Sequence, residues 1–150
     1  MMRKLDIQVA EALWDAFSGK HAGAAEAVLD ETSLLHLPGR SGFSGQYQGG
    51  GAILELLQHM ADLTDGTLRF RPSRTLTSNK HTIVRGHTSA AGRGTQLDTN
   101  TVHLLSLRGD RVCEIWIFHE NQDRVDEFWA CHGSKRTPKV ASSPPKTASS

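Results

Sequence analysis

Apolar residues recur at helical spacing in the first part of the chain, and they alternate with polar residues further on. The first helical pattern runs from about Asp6 to Ser18, with Gly19 as its stop signal. A shorter pattern follows it, and a third pattern closes near Gly66. The apolar positions of the three patterns are, in order, Val9, Ala10, Leu13, Trp14 and Phe17; Ala24, Ala25, Val28 and Leu29; and Ile53, Leu54, Leu57, Met60 and Ala61. This spacing predicts three amphipathic helices, each with one apolar face.

Strand-like alternation takes over after Gly66. The predicted strands are Thr67 to Thr77, His81 to Ala90, Thr95 to Leu107 and Val112 to His119. Glycine-containing segments at 91–94 and 108–110 separate the last three strands and are typical of hairpin connections. A run of helices followed by a run of antiparallel strands favours an α+β fold.

Three shorter features complete the pattern. The segment from Thr32 to Leu37 predicts a first strand, which ends at Pro38 and Gly39. Residues 38–51 are rich in glycine and serine and are predicted to form a long loop, a kind of segment that often carries function. Apolar residues at 125, 128 and 129 predict a short helix after the last strand.

Composition excludes several classes of protein. A length of 150 residues suits one domain, and a net charge of +1 gives no electrostatic reason to expect nucleic acid or an acidic membrane surface. No window reaches the roughly 20 apolar residues of a membrane helix, and Asp6, Gln8 and Glu11 interrupt any secretory signal. Cys113 and Cys131 form neither a zinc motif nor a disulfide framework. We therefore expect a cytoplasmic protein with reduced thiols.

The last part of the chain differs from the rest. We assign residues 1–133 to the domain and 134–150 to a disordered tail, because the tail is made almost entirely of Ser, Lys, Pro, Thr and Ala. Deleting the tail should leave the melting temperature nearly unchanged, since its apolar content is too low for it to pack on the domain. A drop of more than a few degrees in a thermal denaturation scan would show that the tail contacts the domain or a partner.

Three stretches carry a resemblance to a known family. They are His-Leu-Pro-Gly-Arg-Ser at 36–41, Gly-Gln-Tyr-Gln-Gly-Gly-Gly at 45–51, and Gly-Asp-Arg-Val-Cys-Glu-Ile-Trp-Ile-Phe-His-Glu at 109–120. With the order of elements, they resemble the SnoaL-like family of the nuclear transport factor 2-like superfamily, which includes ketosteroid isomerases, over about residues 6–130. The resemblance implies a cone-shaped, curved antiparallel sheet packed on three N-terminal helices, with one pocket. It also implies a homodimer, in which a second subunit covers the outer sheet face; we place Ile115 and Ile117 there.

The last strand supplies the main catalytic candidate. Strand parity places Glu114, Trp116, Phe118 and Glu120 on one face, and Cys113, Ile115, Ile117 and His119 on the other. The resemblance implies that the Trp116 face lines the pocket, with Glu120 in the place of the family's usual aspartate. An apolar wall would raise the pKa of the Glu120 carboxyl toward the range of a general acid or base. The alternative is a strand-end residue exposed to water.

Further site residues follow from the resemblance. His36 ends the first strand and is the second catalytic candidate, as a proton shuttle or as a hydrogen-bond donor to a substrate oxygen. Trp116 and Phe118 would shape the pocket, and Tyr47, His103 and Arg40 would bind substrate. A structural imidazole is the alternative for each histidine, His87 included, and a solvated loop position is the alternative for Arg40. The eight histidines show no HExxH spacing and no ligand cluster, so no metal and no cofactor is expected.

Two classes of function remain open. The first is a cofactor-free acid–base enzyme that cyclises or isomerises a small hydrophobic molecule, such as a polyketide or terpenoid, with epoxide hydrolysis as a variant. The second is a non-catalytic module that binds a small ligand or mediates dimerisation. Two or more ionisable groups converging on a closed cavity would favour the enzyme, whereas an open or wholly apolar cavity would favour the module.

Overall fold

The computed structural model describes residues 15, 25–78 and 80–132. Six strands and two helices have their bounds in this part of the chain. They are β1 Leu34–Leu37, β2 Gly45–Gln48, α1 Gly50–Leu63, β3 Arg69–Thr77, β4 His81–Gly92, β5 Thr95–Arg108, β6 Arg111–His119 and α2 Gln122–Cys131. The strands join one curved sheet in the order β2-β1-β6-β5-β4-β3.

The meander of four long strands is confirmed. Strands β3 to β6 pair antiparallel with their neighbours in the chain, and β4 and β5 form the longest ladder. Their tight turn places Arg93 and Gly94 at φ of 49° and 77°, the two positive angles that a type I′ hairpin requires. The third predicted helix and the final short helix are confirmed as α1 and α2.

The sheet is mixed, so the prediction of a wholly antiparallel sheet was wrong. Strand β1 pairs with β6, the last strand of the meander, and runs parallel to it, with Leu35 opposite Ile115. The predicted loop at 38–51 also contains β2, which pairs antiparallel with β1. Only Tyr47 in β2 is buried, so this strand carries almost no apolar alternation.

The predicted N-terminal helices fall mostly outside the described residues, and so does the predicted tail. Asp15, Ala25 and Glu26 are helical, whereas Val28 and Leu29 lie beyond a helix end. The second predicted helix therefore does not extend to its last two apolar positions. Leu29 nevertheless joins the core, with 5% of its surface exposed.

The core lies between one face of the sheet and the two helices. Helix α1 contributes Ile53 and Leu57, and α2 contributes Phe128 and Trp129. The sheet contributes side chains such as Leu35, Leu105, Ile115 and Ile117. Irregular register between Pro72 and Arg74, and again between Ser106 and Leu107, bends the strands around this core. None of the helices in the described ranges has the length and apolar character needed to cross a membrane.

A candidate active site with two neutral histidines

A cavity of about 40 Å³ lies between the inner sheet face and the two helices. A single water needs roughly 10–15 Å³ of such space, so the cavity holds a few waters or a small part of a ligand. Its wall is largely apolar and includes Leu37, Met60, Leu68, Phe70, Ile117 and Trp129. Four polar side chains also reach it, namely Arg69, Thr88, His103 and His119.

His103 is the more deeply buried of the two histidines. It lies on the inner face of β5, and its ring stacks on Phe70 with a centroid distance of 4.1 Å and an interplanar angle of 13°. Burial, together with the nearby His119, lowers the pKa of His103 to about 3. The imidazole is therefore neutral at physiological pH and can donate from one nitrogen and accept at the other.

A glycine makes this stack possible. Gly86 lies on the inner face of β4, where an added Cβ would stand 2.7 Å from Cζ of Phe70 and would also clash with the Arg71 carbonyl oxygen. Contacts that short do not occur, so a side chain at this position would displace the Phe70 ring. The absence of a side chain at residue 86 therefore positions Phe70 against His103.

His119 ends strand β6 and faces the same cavity. Its Nδ1 lies 2.9 Å from Oγ1 of Thr101, which lies 2.7 Å from Oγ1 of Thr88. Burial lowers the pKa of His119 to about 4, although the negative charge of Asp126 acts in the opposite direction. This imidazole is also neutral at physiological pH.

The charge around the cavity is sparse. Arg69 is the one formally charged side chain among the described lining residues, and its Nη1 donates to the Gly66 carbonyl oxygen at 2.7 Å. No described lining residue carries a carboxylate. The arrangement therefore suits an uncharged, mostly apolar molecule whose polar atoms meet two neutral imidazoles and a hydroxyl.

The predicted pocket face of the last strand was wrong. Ile117 and His119 line the cavity, while Phe118 is 52% exposed on the opposite face. Trp116 shares that outer face, and the exposed Glu120 accepts a hydrogen bond from Asn100 Nδ2 at 2.8 Å. Both faces of β6 carry large apolar side chains, so alternation alone could not decide which face is inner. Ile115 is fully buried, so it does not form the outer surface predicted for it.

The structure also places His36 on the outer face. Its Nε2 lies 2.6 Å from Oε2 of Glu114, its Nδ1 lies 3.2 Å from Nε2 of Gln46, and its ring stacks on Trp116 at 5.1 Å. His87 lies on the same outer face, between Asp98 and Asn100. Neither histidine lines the cavity.

Tyr47 and Arg40 also lie apart from the cavity lining. The Tyr47 hydroxyl donates to the Phe43 carbonyl oxygen at 2.7 Å in the core, and burial raises its pKa to about 12. The Arg40 side chain is 84% exposed and lies 3.7 Å from the Asp123 carboxylate. Of the predicted site residues, the structure brings His103 to the cavity.

Comparison with known proteins identifies the family. A family model for the SnoaL-like domain matches residues 10–115. The chain belongs to the SnoaL-like family. No curated protein matches this SnoaL-like chain in sequence.

Solved structures confirm the nuclear transport factor 2-like fold of this SnoaL-like protein. Bal32a, from a soil-derived mobile gene cassette, is 25% identical with a TM-score of 0.76, over 84% of this chain and 99% of that one. An NTF2-like protein from Burkholderia pseudomallei is 14% identical with a TM-score of 0.71, over 85% and 98%. A candidate isomerase from Rhodopseudomonas palustris is 17% identical with a TM-score of 0.68, over 87% and 99%.

Proposed function

We propose that this SnoaL-like protein is a cofactor-free acid–base enzyme that isomerises or cyclises a small, largely apolar carbonyl compound, such as a polyketide or terpenoid. The observation that carries the proposal is the convergence of two neutral histidines, His103 and His119, on one apolar cavity. A purely apolar cavity would have favoured a binding module instead. The similarity to a candidate isomerase in fold agrees with this class of reaction but does not decide it.

The two histidines take different roles in the proposal. His119 removes and returns a proton, because its ring faces the cavity and is linked through Nδ1 to a hydroxyl chain. His103 donates a hydrogen bond to the carbonyl oxygen on which negative charge develops, a role that a neutral imidazole can fill. Its stacking on Phe70 holds the ring in place. Epoxide hydrolysis is less suited, because a carboxylate would have to activate water and the described lining residues supply none.

A small enolisable ketone tests the reaction. Cyclohex-3-enone becomes conjugated cyclohex-2-enone by removal of a proton from one carbon and delivery of a proton to another carbon, which NMR follows directly. We expect the protein to accelerate this shift above the buffer rate, with saturation by the ketone. Binding of the ketone near His103 and His119 without any acceleration would overturn the enzyme proposal and favour the binding module.

We also propose that two copies pair through the outer sheet face. Its apolar side chains include Ile83 and Phe118, which are 41% and 52% exposed, and Val102, Leu104 and Trp116 lie beside them in register. Contiguous apolar patches of this kind mark interfaces. Light scattering at micromolar concentration should give twice the mass of one chain. Phe118→Glu should yield monomers, whereas Arg93→Glu in the hairpin turn should not; a monomeric parent protein would contradict the assembly.

A further inference from the structure

Three side chains on neighbouring strands form a continuous hydrogen-bonded chain beside the cavity. Thr88 on β4 and His119 on β6 both line the cavity, and Thr101 on β5 joins them. The distances are 2.7 Å from Thr88 Oγ1 to Thr101 Oγ1 and 2.9 Å from Thr101 Oγ1 to His119 Nδ1. Thr101 is only 1% exposed and does not line the cavity, so it contacts the reacting region only through its two neighbours.

Counting protons leaves two ways to satisfy this chain. Each threonine hydroxyl carries one proton, and a neutral imidazole carries one proton on either nitrogen. In the first arrangement His119 Nδ1–H donates to Thr101, Thr101 donates to Thr88, Nε2 is free to accept, and the Thr88 proton is free for the cavity. In the second, Thr88 donates to Thr101, Thr101 donates to Nδ1, and Nε2 carries the proton. The two arrangements are the two neutral tautomers of His119.

We infer that Thr101 is a positioning residue that couples the tautomer of His119 to the hydroxyl of Thr88 and so forms a charge-neutral proton relay. The inference rests on the proposed function of the cavity. The inference extends the proposed site of His103 and His119 by two residues. Thr88 touches the substrate, and Thr101 acts through Thr88 and His119.

The relay balances when a ketone becomes an enol. The substrate C–H bond breaks and its proton binds Nε2 of His119, while the Nδ1 proton passes to Thr101. The Thr101 proton passes to Thr88, and the Thr88 proton passes to the substrate oxygen, which becomes the enol hydroxyl. The Nε2 proton then passes to a different carbon, while the enol proton passes to Thr88, the Thr88 proton to Thr101 and the Thr101 proton to Nδ1, which completes the isomerisation and restores the first arrangement. No net charge remains on the protein at either stage.

A charge-neutral path fits this cavity better than simple proton abstraction. Burial disfavours the protonated form of His119, so an imidazolium paired with an enolate would be costly beside an apolar wall. The described lining supplies no carboxylate to stabilise the imidazolium by direct contact. Concerted transfer along the chain lets a neutral imidazole act as a base without becoming charged.

The tautomer can be measured without any substrate. In protein labelled with nitrogen-15 at histidine, long-range proton–nitrogen correlation spectra report which ring nitrogen of His119 carries the proton. We expect Thr101→Val to shift the tautomer populations of His119, and Thr101→Ser to restore them. Thr82→Val is the matched control, because Thr82 is a fully buried β4 threonine whose hydroxyl partner is Thr77. Unchanged His119 signals in Thr101→Val would overturn the coupling; if that variant fails to fold, Thr88→Val tests the same chain.

Turnover of cyclohex-3-enone tests the relay itself. We expect Thr101→Val to lower kcat by about tenfold or more with little change in KM, which is the signature of an interaction made in the transition state. Full kcat in Thr101→Val, in a protein whose His119→Gln variant is inactive, would overturn the relay and leave the proposed function standing. If the parent protein does not act on the ketone at all, the proposed function and the relay both fail, and the NMR result decides the coupling alone.

Discussion

Replacing His119 with glutamine should lower turnover of the ketone by about 10²–10⁴-fold, the usual contribution of a positioned proton-transfer group. Glutamine retains hydrogen-bonding capacity at the end of β6, but it cannot accept a proton at neutral pH. The partner Thr101 therefore keeps a polar neighbour, and the fold should be preserved. Circular dichroism and the melting temperature verify the fold, and the NMR assay of cyclohex-3-enone gives the rate.

The matched control for this experiment is Glu120→Gln on the same strand end. Glu120 is exposed and bonded to Asn100 rather than to the cavity, so its loss of charge should leave the rate within about twofold of the parent. The reverse pattern, an inactive Glu120→Gln beside an active His119→Gln, would move the active site to the outer sheet face. His103→Gln should lower kcat by about 10²–10³-fold if His103 stabilises the developing oxyanion.

Acid should destabilise the protein because the buried His103 and the partly buried His119 are both neutral in the folded state. The pKa of His103 is lowered from 6.5 to about 3, and that of His119 from 6.5 to about 4. The unfolded chain therefore binds more protons than the folded one in this interval. Their contribution to stability is complete above pH 6.5 and is lost as the pH falls toward 4 for His119 and toward 3 for His103. Each histidine adds at most about 1.4 kcal/mol per pH unit to the slope.

Urea denaturation at several pH values between 4.5 and 7.5 measures this slope. The free energy of unfolding should fall toward low pH more steeply in the parent protein than in His103→Gln or His119→Gln, because glutamine does not titrate. His87 acts in the opposite sense, since its hydrogen bond to Asp98 raises its pKa and favours the folded state at low pH. Equal slopes in the parent and the His103→Gln variant would show that His103 is accessible to protons in the folded state.

Most of the fold could be predicted from the sequence because glycines indicate its hairpin turns and its strands are long. Segments 91–94 and 108–110 carry the glycines that hairpins need, so the register of β4, β5 and β6 follows from them. Strand β2 was not predicted because three of its four residues are exposed, so its sequence shows almost no alternation of apolar and polar residues. Its pairing with β1 depends on contacts between segments that local pattern does not report.

The site was harder to predict because the strands that line the cavity do not follow the usual alternation, in which apolar side chains mark the inner face of a sheet and polar side chains the outer face. The inner face of β5 carries Thr99, Thr101 and His103, polar residues where alternation leads one to expect apolar ones. The outer face of β6 carries Trp116 and Phe118, large apolar side chains that the alternation rule assigns to a buried face. Parity placed His119 correctly opposite Glu120, but the choice of inner face needed the burial of Ile115 and Ile117. Buried polar residues on adjacent strands, such as Thr88 and Thr101, were the signal that could have found the site.

The bare backbone at Gly86 has a consequence for substrate size. The Phe70 ring on β3 occupies the space that a side chain at position 86 on β4 would need. The side chain at position 70 therefore sets the width of this part of the cavity. A smaller residue at position 70 would free room for a larger ligand but not for a side chain at 86, because the Arg71 carbonyl oxygen would still clash with an added Cβ there. Relatives that accept bulkier molecules should therefore carry a smaller residue at position 70 and keep glycine at position 86, even though neither residue performs chemistry.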